Sequence, residues 1–218
     1  MPQETFTPAL AYPWLTGLYD RAIATLTREK TWRARIMDAL APRDGETIVD
    51  LGAGTGSLAM LIKAGAPGAR VVAVDPDPAV RAIGEGKARA AGTNIEFVTA
   101  MGNLDIETVP PGSADAVTCS LVLHQCPMDM KRDIVANAAR LLRSGGRLVI
   151  ADYGAQPDVL MRAGFLIVQC LDGFGATEAN RLGAIPRLVA EAGFDLSPDV
   201  VQVRTPTGAI SVWRAQTK

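Results

Sequence analysis

Aromatic side chains are scarce, at 5% of a 218-residue chain. With 48% of the residues apolar, a chain of this length still buries a sizeable core, but that core has to be mainly aliphatic. Histidine occurs once, at His124, and the three cysteines, Cys119, Cys126 and Cys170, fall at no regular spacing. One histidine leaves no metal-ligand pattern, and an odd cysteine count argues against a disulfide framework. Charge of one sign is also missing: 22 basic residues stand against 23 acidic ones, a net charge of -1. That balance excludes a nucleic-acid footprint. The densest basic run, Arg28, Lys30, Arg33 and Arg35, is interrupted by Glu29 and reads as a solvated helix face. No apolar run is long enough to span a bilayer. Met1 to Pro8 lacks the basic flank and apolar core of a secretory signal. The expected location is the cytoplasm.

What the chain does contain is an alternation of short apolar strands and amphipathic helices. Leu10 to Leu40 carries apolar residues at helical spacing and reads as one or two helices, stopped by Ala41-Pro42-Arg43-Asp44-Gly45. Strands follow at 47–51, 70–75, 95–98, 114–120 and 147–152. Between them lie helices at 57–64, 78–91 and 128–142. Asp77 with Pro78 is a good start for the second of these, and Ser144-Gly145-Gly146 reads as the stop of the third. Strands apolar on both faces point to a parallel sheet covered by helices. Beyond it, 159–171 reads as an almost wholly apolar helix and 178–192 as another. Strands near 200–203 and 210–214 are joined by the turn Thr205-Pro206-Thr207-Gly208. The expected fold is α/β and Rossmann-like, with a mostly parallel seven-stranded sheet and a late antiparallel hairpin. The chain is expected to form a single domain: 1–44 an N-terminal helical cap, 45–152 a cofactor-binding core, and 153–218 a helical insert with closing strands.

The first strand runs into Asp50-Leu51-Gly52-Ala53-Gly54-Thr55-Gly56, and a helix starts at once. Glycine permits a sharp turn and close approach of a ligand to the main chain, and open parallel sheets bind ligands at the carboxyl ends of their strands. The dinucleotide pattern G-x-G-x-x-G fails here at Ser57. Asp50 would also repel a pyrophosphate, whereas it suits a ligand carrying an ammonium and a sulfonium. Asp75, ending the second strand, stands where an acidic side chain accepts from two ribose hydroxyls. Ser57 and Asp50 favour S-adenosylmethionine (SAM) over NAD, while Asp75 fits the adenosine ribose of either.

The segment 49–56 resembles the first motif of class I SAM-dependent methyltransferases, and Val72-Ala73-Val74-Asp75 resembles the second. Residues 115–124 resemble the fourth-strand motif, and 141–148 the join between helix and fifth strand. The likeness covers roughly 45–152, and it is nearest to the ubiquinone/menaquinone-biosynthesis branch. Leu18-Tyr19-Asp20, Leu171-Asp172-Gly173-Phe174 and Glu191-Ala192-Gly193-Phe194 fit that branch too. The resemblance implies that Gly52, Ala53 and Gly54 pass under the methionine part of SAM and that Asp50 supports the loop or the ammonium. Asp75 would hold the ribose, and Pro76 would pack on the adenine. Ser120 and Leu121 would offer backbone groups to the methionine end, and Tyr19 would close over the cofactor. Relatives often carry an acidic residue for the adenine amino group where this chain has Met101-Gly102. A thioether cannot replace that carboxylate, and Asn103 is the substitute at hand.

Methyl transfer is an in-line displacement helped mainly by orientation, and a general base is optional. His124 and Tyr153 are the candidates near the reacting atoms. His124 is read either as a base or as a hydrogen-bonded histidine shaping the pocket floor, the second being favoured. Tyr153 is read equally as a wall residue, and Asp152 as a strand-end cap. The apolar segment 159–171 is read first as a core or homodimer-packing helix, and second as a lid over a lipophilic acceptor. The expected function is SAM-dependent methylation of a small lipophilic or aromatic molecule. The competing readings are an NAD(P)-dependent oxidoreductase and a non-catalytic protein that binds SAM or its product.

Overall fold

A computed structural model describes residues 28–218. Helix α1 (Glu29–Leu40) buries Trp32, Ile36 and Leu40, spaced one turn apart. It ends where Ala41 takes a left-handed conformation and its amide bonds back to Met37 O. This is the described part of the helical region expected from residue 10 onward.

Five parallel strands follow: β1 (Thr47–Leu51), β2 (Arg70–Asp75), β3 (Glu96–Thr99), β4 (Ala114–Ser120) and β5 (Leu142–Tyr153). Alternation along each strand sends side chains to two cores. Val49, Leu51, Val72, Val74, Val117 and Cys119 face one side. Ile48, Val71, Ala73 and Ala116 face the other. Each fully buried Val, Leu or Ile contributes about 1.5–3 kcal/mol, which is why an aliphatic sheet suffices where aromatics are few. The first core is covered by α4 (Met128–Leu141) and α7 (Ala184–Glu191), through Ile134, Ala138, Leu141, Ile185 and Val189. The second is covered by α1, α2 (Ser57–Gly65), α3 (Pro78–Ala90) and α5 (Val159–Asp172), the last through Phe165 and Val168. Helix α3 starts as its sequence indicates, with Asp77 accepting from Ala79 N and Pro78 in the first turn.

The sheet order is β3-β2-β1-β4-β5, then β8 (Gly208–Thr217) and β6 (Phe194–Leu196), with β7 (Val201–Thr205) also on β8. Strand β8 runs antiparallel to β5. Its other edge is shared by β6, against residues 215–217, and β7, against 208–212. The sheet therefore has eight strands rather than seven, because two short strands divide the last edge. Two further departures have local causes. The fifth strand starts at Leu142, not Arg147, since Leu142 pairs with Ala114 and a bulge precedes the Ala116–Arg147 pair. The helix expected over 178–192 is two: α6 (Phe174–Arg181) and α7, separated at Gly183, whose φ is +77°.

The order places β1 between β2 and β4, so that successive connections leave in opposite directions. The crevice at the carboxyl ends of β1, β2 and β4 is where such sheets hold ligands.

Candidate functional site

The turn after β1 is shaped by steric demand at two glycines. Gly52 has φ +73°, and a Cβ there would lie 2.2 Å from Val122 Cγ2. Gly56 has φ +72°, and its Cβ would press on the Phe97 ring at 2.9 Å. Leu121, just past β4 and next to Val122, holds a positive φ of 54°. A non-glycine residue in that region is strained, and Leu121 N is tied to Ala151 O at 2.8 Å.

Asp75 joins turn to strand. Its Oδ2 accepts from Gly54 N at 2.7 Å and its Oδ1 from Asp77 N at 3.0 Å. Burial raises its pKa above the ordinary carboxylate range, the two amides oppose that rise, and the charge of Asp77 adds to it. Each carboxylate oxygen keeps accepting capacity for a further donor. Asp50 lies beneath the turn, fully buried. Its Oδ1 accepts from Thr118 Oγ1 at 2.7 Å, and its Oδ2 has no hydrogen-bond partner. Burial pushes its pKa up to about 6, against the Thr118 hydrogen bond and the charge of Arg33 and with help from the charge of Asp75.

These elements surround a cavity of about 620 Å³. Of the residues expected at the cofactor, Gly52, Gly54, Asp75, Pro76, Met101, Gly102, Asn103 and Leu121 line it. Ala53 sits behind, with its amide on Val74 O, and Asp50 and Ser120 also stand outside the lining. Tyr19 lies outside the described residues. Asn103 Oδ1 is buried without a partner, an acceptor on the wall where Met101 offers none. Sequence reasoning missed the opposite wall: Gln125, Cys126 and Pro127, then Asp129, Met130, Asp133 and Ile134 of α4. The periodicity of α4 announced its core face, and Ile134 serves both core and cavity. Nothing in the sequence marked the neighbouring turn of that helix as a wall. Four lining residues are aspartates, at 75, 77, 129 and 133, and none is lysine or arginine.

His124 and Tyr153 are placed elsewhere. Tyr153 is buried, its hydroxyl meets Thr207 Oγ1 at 2.8 Å, and burial pushes its pKa up to about 12. His124, also buried, packs edge-on against the Tyr153 ring. Its Nδ1 is 2.8 Å from Asp152 Oδ1, and its Nε2 is 3.4 Å from Asp172 Oδ2. Burial alone would lower its pKa, but the two carboxylates outweigh it and raise the pKa to about 9. An imidazolium at neutral pH has no free lone pair with which to accept a proton, and neither His124 nor Tyr153 is among the residues that line the cavity. Behind Asp152, the buried Lys131 Nζ donates to Leu123 O, Ala176 O and Asn180 Oδ1.

Cys119, Cys126 and Cys170 are unpaired. Among the described residues there is no group of three or more His, Cys, Asp or Glu side chains able to hold a metal ion. No helix among them is long and apolar enough to cross a membrane.

Residues 48–146 match the methyltransferase domain family. The chain is 35% identical over 126 residues to a demethylmenaquinone methyltransferase of Thermus thermophilus, covering 58% of this chain and 56% of that one. It is 31% identical over 128 residues to a ubiquinone/menaquinone biosynthesis C-methyltransferase of Paracoccus denitrificans, covering 59% and 50%. The match thus spans about half the length of these relatives. The fold is similar to the crystal structure of a SAM-dependent methyltransferase from Aquifex aeolicus, with a TM-score of 0.68, 15% identity, and 98% and 100% of the two chains covered.

Proposed function

We propose that this chain, whose residues 48–146 match a methyltransferase domain family and which is similar to methyltransferases of ubiquinone and menaquinone biosynthesis, is a SAM-dependent methyltransferase acting on a small, lipophilic, quinone-like acceptor. The observation that carries this reading is the charge of the cavity: four aspartates and no basic side chain favour a ligand bearing an ammonium and a sulfonium and repel a pyrophosphate. The orphaned oxygens of Asp50 and Asn103 fit the same group, since buried acceptors without partners are costly until a donor arrives.

In this reading Asp75 takes the ribose hydroxyls, and Pro76 and Met101 flank the adenine. Asn103 Oδ1 accepts from the adenine amino group. The Gly52–Gly54 backbone and Leu121 hold the methionine end, with Ala53 and Ser120 shaping the turn from behind. The sulfonium supplies a reactive methyl group and a good leaving group. The protein's contribution is to orient the acceptor and keep water out. Residues 45–152 form the cofactor core and 153–218 the insert and closing strands. We place the protein in the cytoplasm, where free cysteines stay reduced. A homodimer would use the exposed apolar face of α5, and its test is sedimentation over a range of concentrations.

Titration calorimetry with SAM, S-adenosylhomocysteine and NAD tests the cofactor, and methyl release across quinols, phenols, amines and thiols tests the reaction. SAM binding with turnover on a quinol is the expected result. Binding of NAD but not SAM overturns the reading. The Asp75→Ala variant should keep its fold and lose about 10–100-fold in SAM affinity, the range for a hydrogen-bonded charged group.

A further inference from the structure

Gln125 has one face on the cavity and one on the charged cluster behind it. It lines the cavity with Leu121, Val122, Cys126, Pro127 and Met130, and its side-chain Nε2 is placed 3.4 Å from His124 Nε2, a position that the amide oxygen takes when the amide is turned over. His124 is held by carboxylates on both ring nitrogens: Asp152 of β5 at Nδ1, and Asp172 at the end of α5 at Nε2. Both nitrogens therefore carry protons. A protonated Nε2 is met by the amide oxygen of Gln125, not by its NH2, and the oxygen and nitrogen of an amide are assigned by such networks. With the oxygen turned to His124, the NH2 is turned to the cavity.

We propose that Gln125 selects the methyl acceptor by donating its amide N–H to an oxygen on the acceptor's ring, as in a phenol or quinol, and that His124 is a positioning residue that fixes the amide. This rests on the methyltransferase reading above and deepens it. Leu121, Val122, Pro127 and Met130 on the lining give a lipophilic ring apolar surface, with Asp129 and Asp133 further along α4. The other sulfur or nitrogen donors on the lining are accounted for: the Cys126 thiol donates to Val122 O at 3.4 Å, and Asn103 belongs to the Met101–Gly102 wall. Gln125 thus offers the acceptor its polar handle.

The variant Gln125→Glu keeps the shape and the contact with His124 but has no N–H to donate. Gln125→Leu removes both. The experiment measures SAM affinity by calorimetry and KM and kcat on matched sets of quinols and phenols against amines and thiols. Expected for both variants is a KM about 3–10-fold higher for the oxygen-bearing rings, the range for a hydrogen bond between neutral groups. SAM affinity should stay within about twofold of wild type, a smaller change than loss of even a neutral hydrogen bond gives. A parallel loss of SAM affinity would assign Gln125 to the cofactor and overturn the proposal, as would an unchanged KM. The positioning role has its own readout. The groups facing His124 are Asp152, Asp172, Gln125 and the Tyr153 ring, with Lys131 and Asn180 behind Asp152. As pH rises through about 9, His124 loses a proton, the amide loses its fixed orientation, and KM for the ring acceptor should rise in the wild type but not in Gln125→Leu. Equal profiles would remove the positioning role. A wild-type protein that binds SAM yet methylates none of these compounds would sink the methyltransferase reading itself, and this assignment with it.

Discussion

Two aspartates are fully buried at the carboxyl ends of strands, Asp50 in β1 and Asp152 in β5, and they are treated in opposite ways. Asp152 is saturated. Its Oδ1 accepts from His124 Nδ1, Tyr153 N and Asn180 Nδ2, and its Oδ2 from His124 N. Asp50 has one neutral donor, Thr118, and an oxygen with no partner. A buried carboxylate surrounded by donors and a cation is part of the framework. One left half-satisfied under a glycine turn keeps an acceptor to spare. The difference sets a saturated framework carboxylate against one for which ligand binding is the proposal to test, where burial and residue type are the same.

The sharpest way to break that comparison is to remove the framework carboxylate. Asp152→Ala leaves the His124 imidazolium and the Lys131 ammonium buried with less compensation. It should destabilise the fold by about 3–5 kcal/mol, the usual result of stripping one partner from a buried charged pair, read as a shift in urea midpoint. A fold of unchanged stability that has lost SAM affinity would make Asp152 the binding group instead.

A second test uses pH on the same cluster. The pKa of His124 is raised to about 9 from an ordinary 6.5. Its contribution is therefore fully present below about pH 6.5 and is lost as pH rises through about 9, amounting to roughly 3 kcal/mol between those limits. Urea midpoints measured from pH 6 to 10 should fall over that window, and His124→Gln should flatten the fall.

How much of this could be read beforehand differs along the chain. The Thr47–Leu51 and Arg70–Asp75 strands appear at the residues expected, because local apolar runs bounded by turn residues suffice to define them. Strand β6 escaped notice, since three residues become a strand only by pairing with Phe194↔Thr217 and its neighbours. The break at Gly183 was hidden because 178–192 has apolar residues on either side of it. Lys131 holds α6 on one side of that break: its ammonium donates to Ala176 O and Asn180 Oδ1 of α6 and to Leu123 O, contacts that no local pattern encodes. In the site, Asp50 and Asp75 were visible because they adjoin the glycine turn and a strand end. Asp129 and Asp133 were not, because a helix's solvent face looks the same whether or not it borders a cavity.

The smaller effects fall on Asp50, where the comparison predicts opposite signs for stability and binding. Burial holds its pKa at about 6, against an ordinary 3.8. The folded state thus binds this proton more tightly than the unfolded chain does, so the group costs stability above about pH 6 and that cost fades as pH falls towards 4. Asp50→Asn removes the buried charge and should stabilise the ligand-free protein by about 1–3 kcal/mol at pH 7, while weakening SAM binding. Asp75, facing Gly54 N and Asp77, is also raised by burial and shifts in the same sense. A cationic ligand favours the ionised form of both, so binding releases protons and SAM affinity should drop as pH is lowered through the raised pKa of Asp50, about 6, by up to roughly tenfold per unit for each proton released. Calorimetry in buffers of different ionisation enthalpy at pH 5.5 and 7.5 reads that release directly. The Asp50→Asn variant should release fewer protons at the lower pH. If it releases as many as wild type, Asp50 is a second framework carboxylate and the contrast with Asp152 fails.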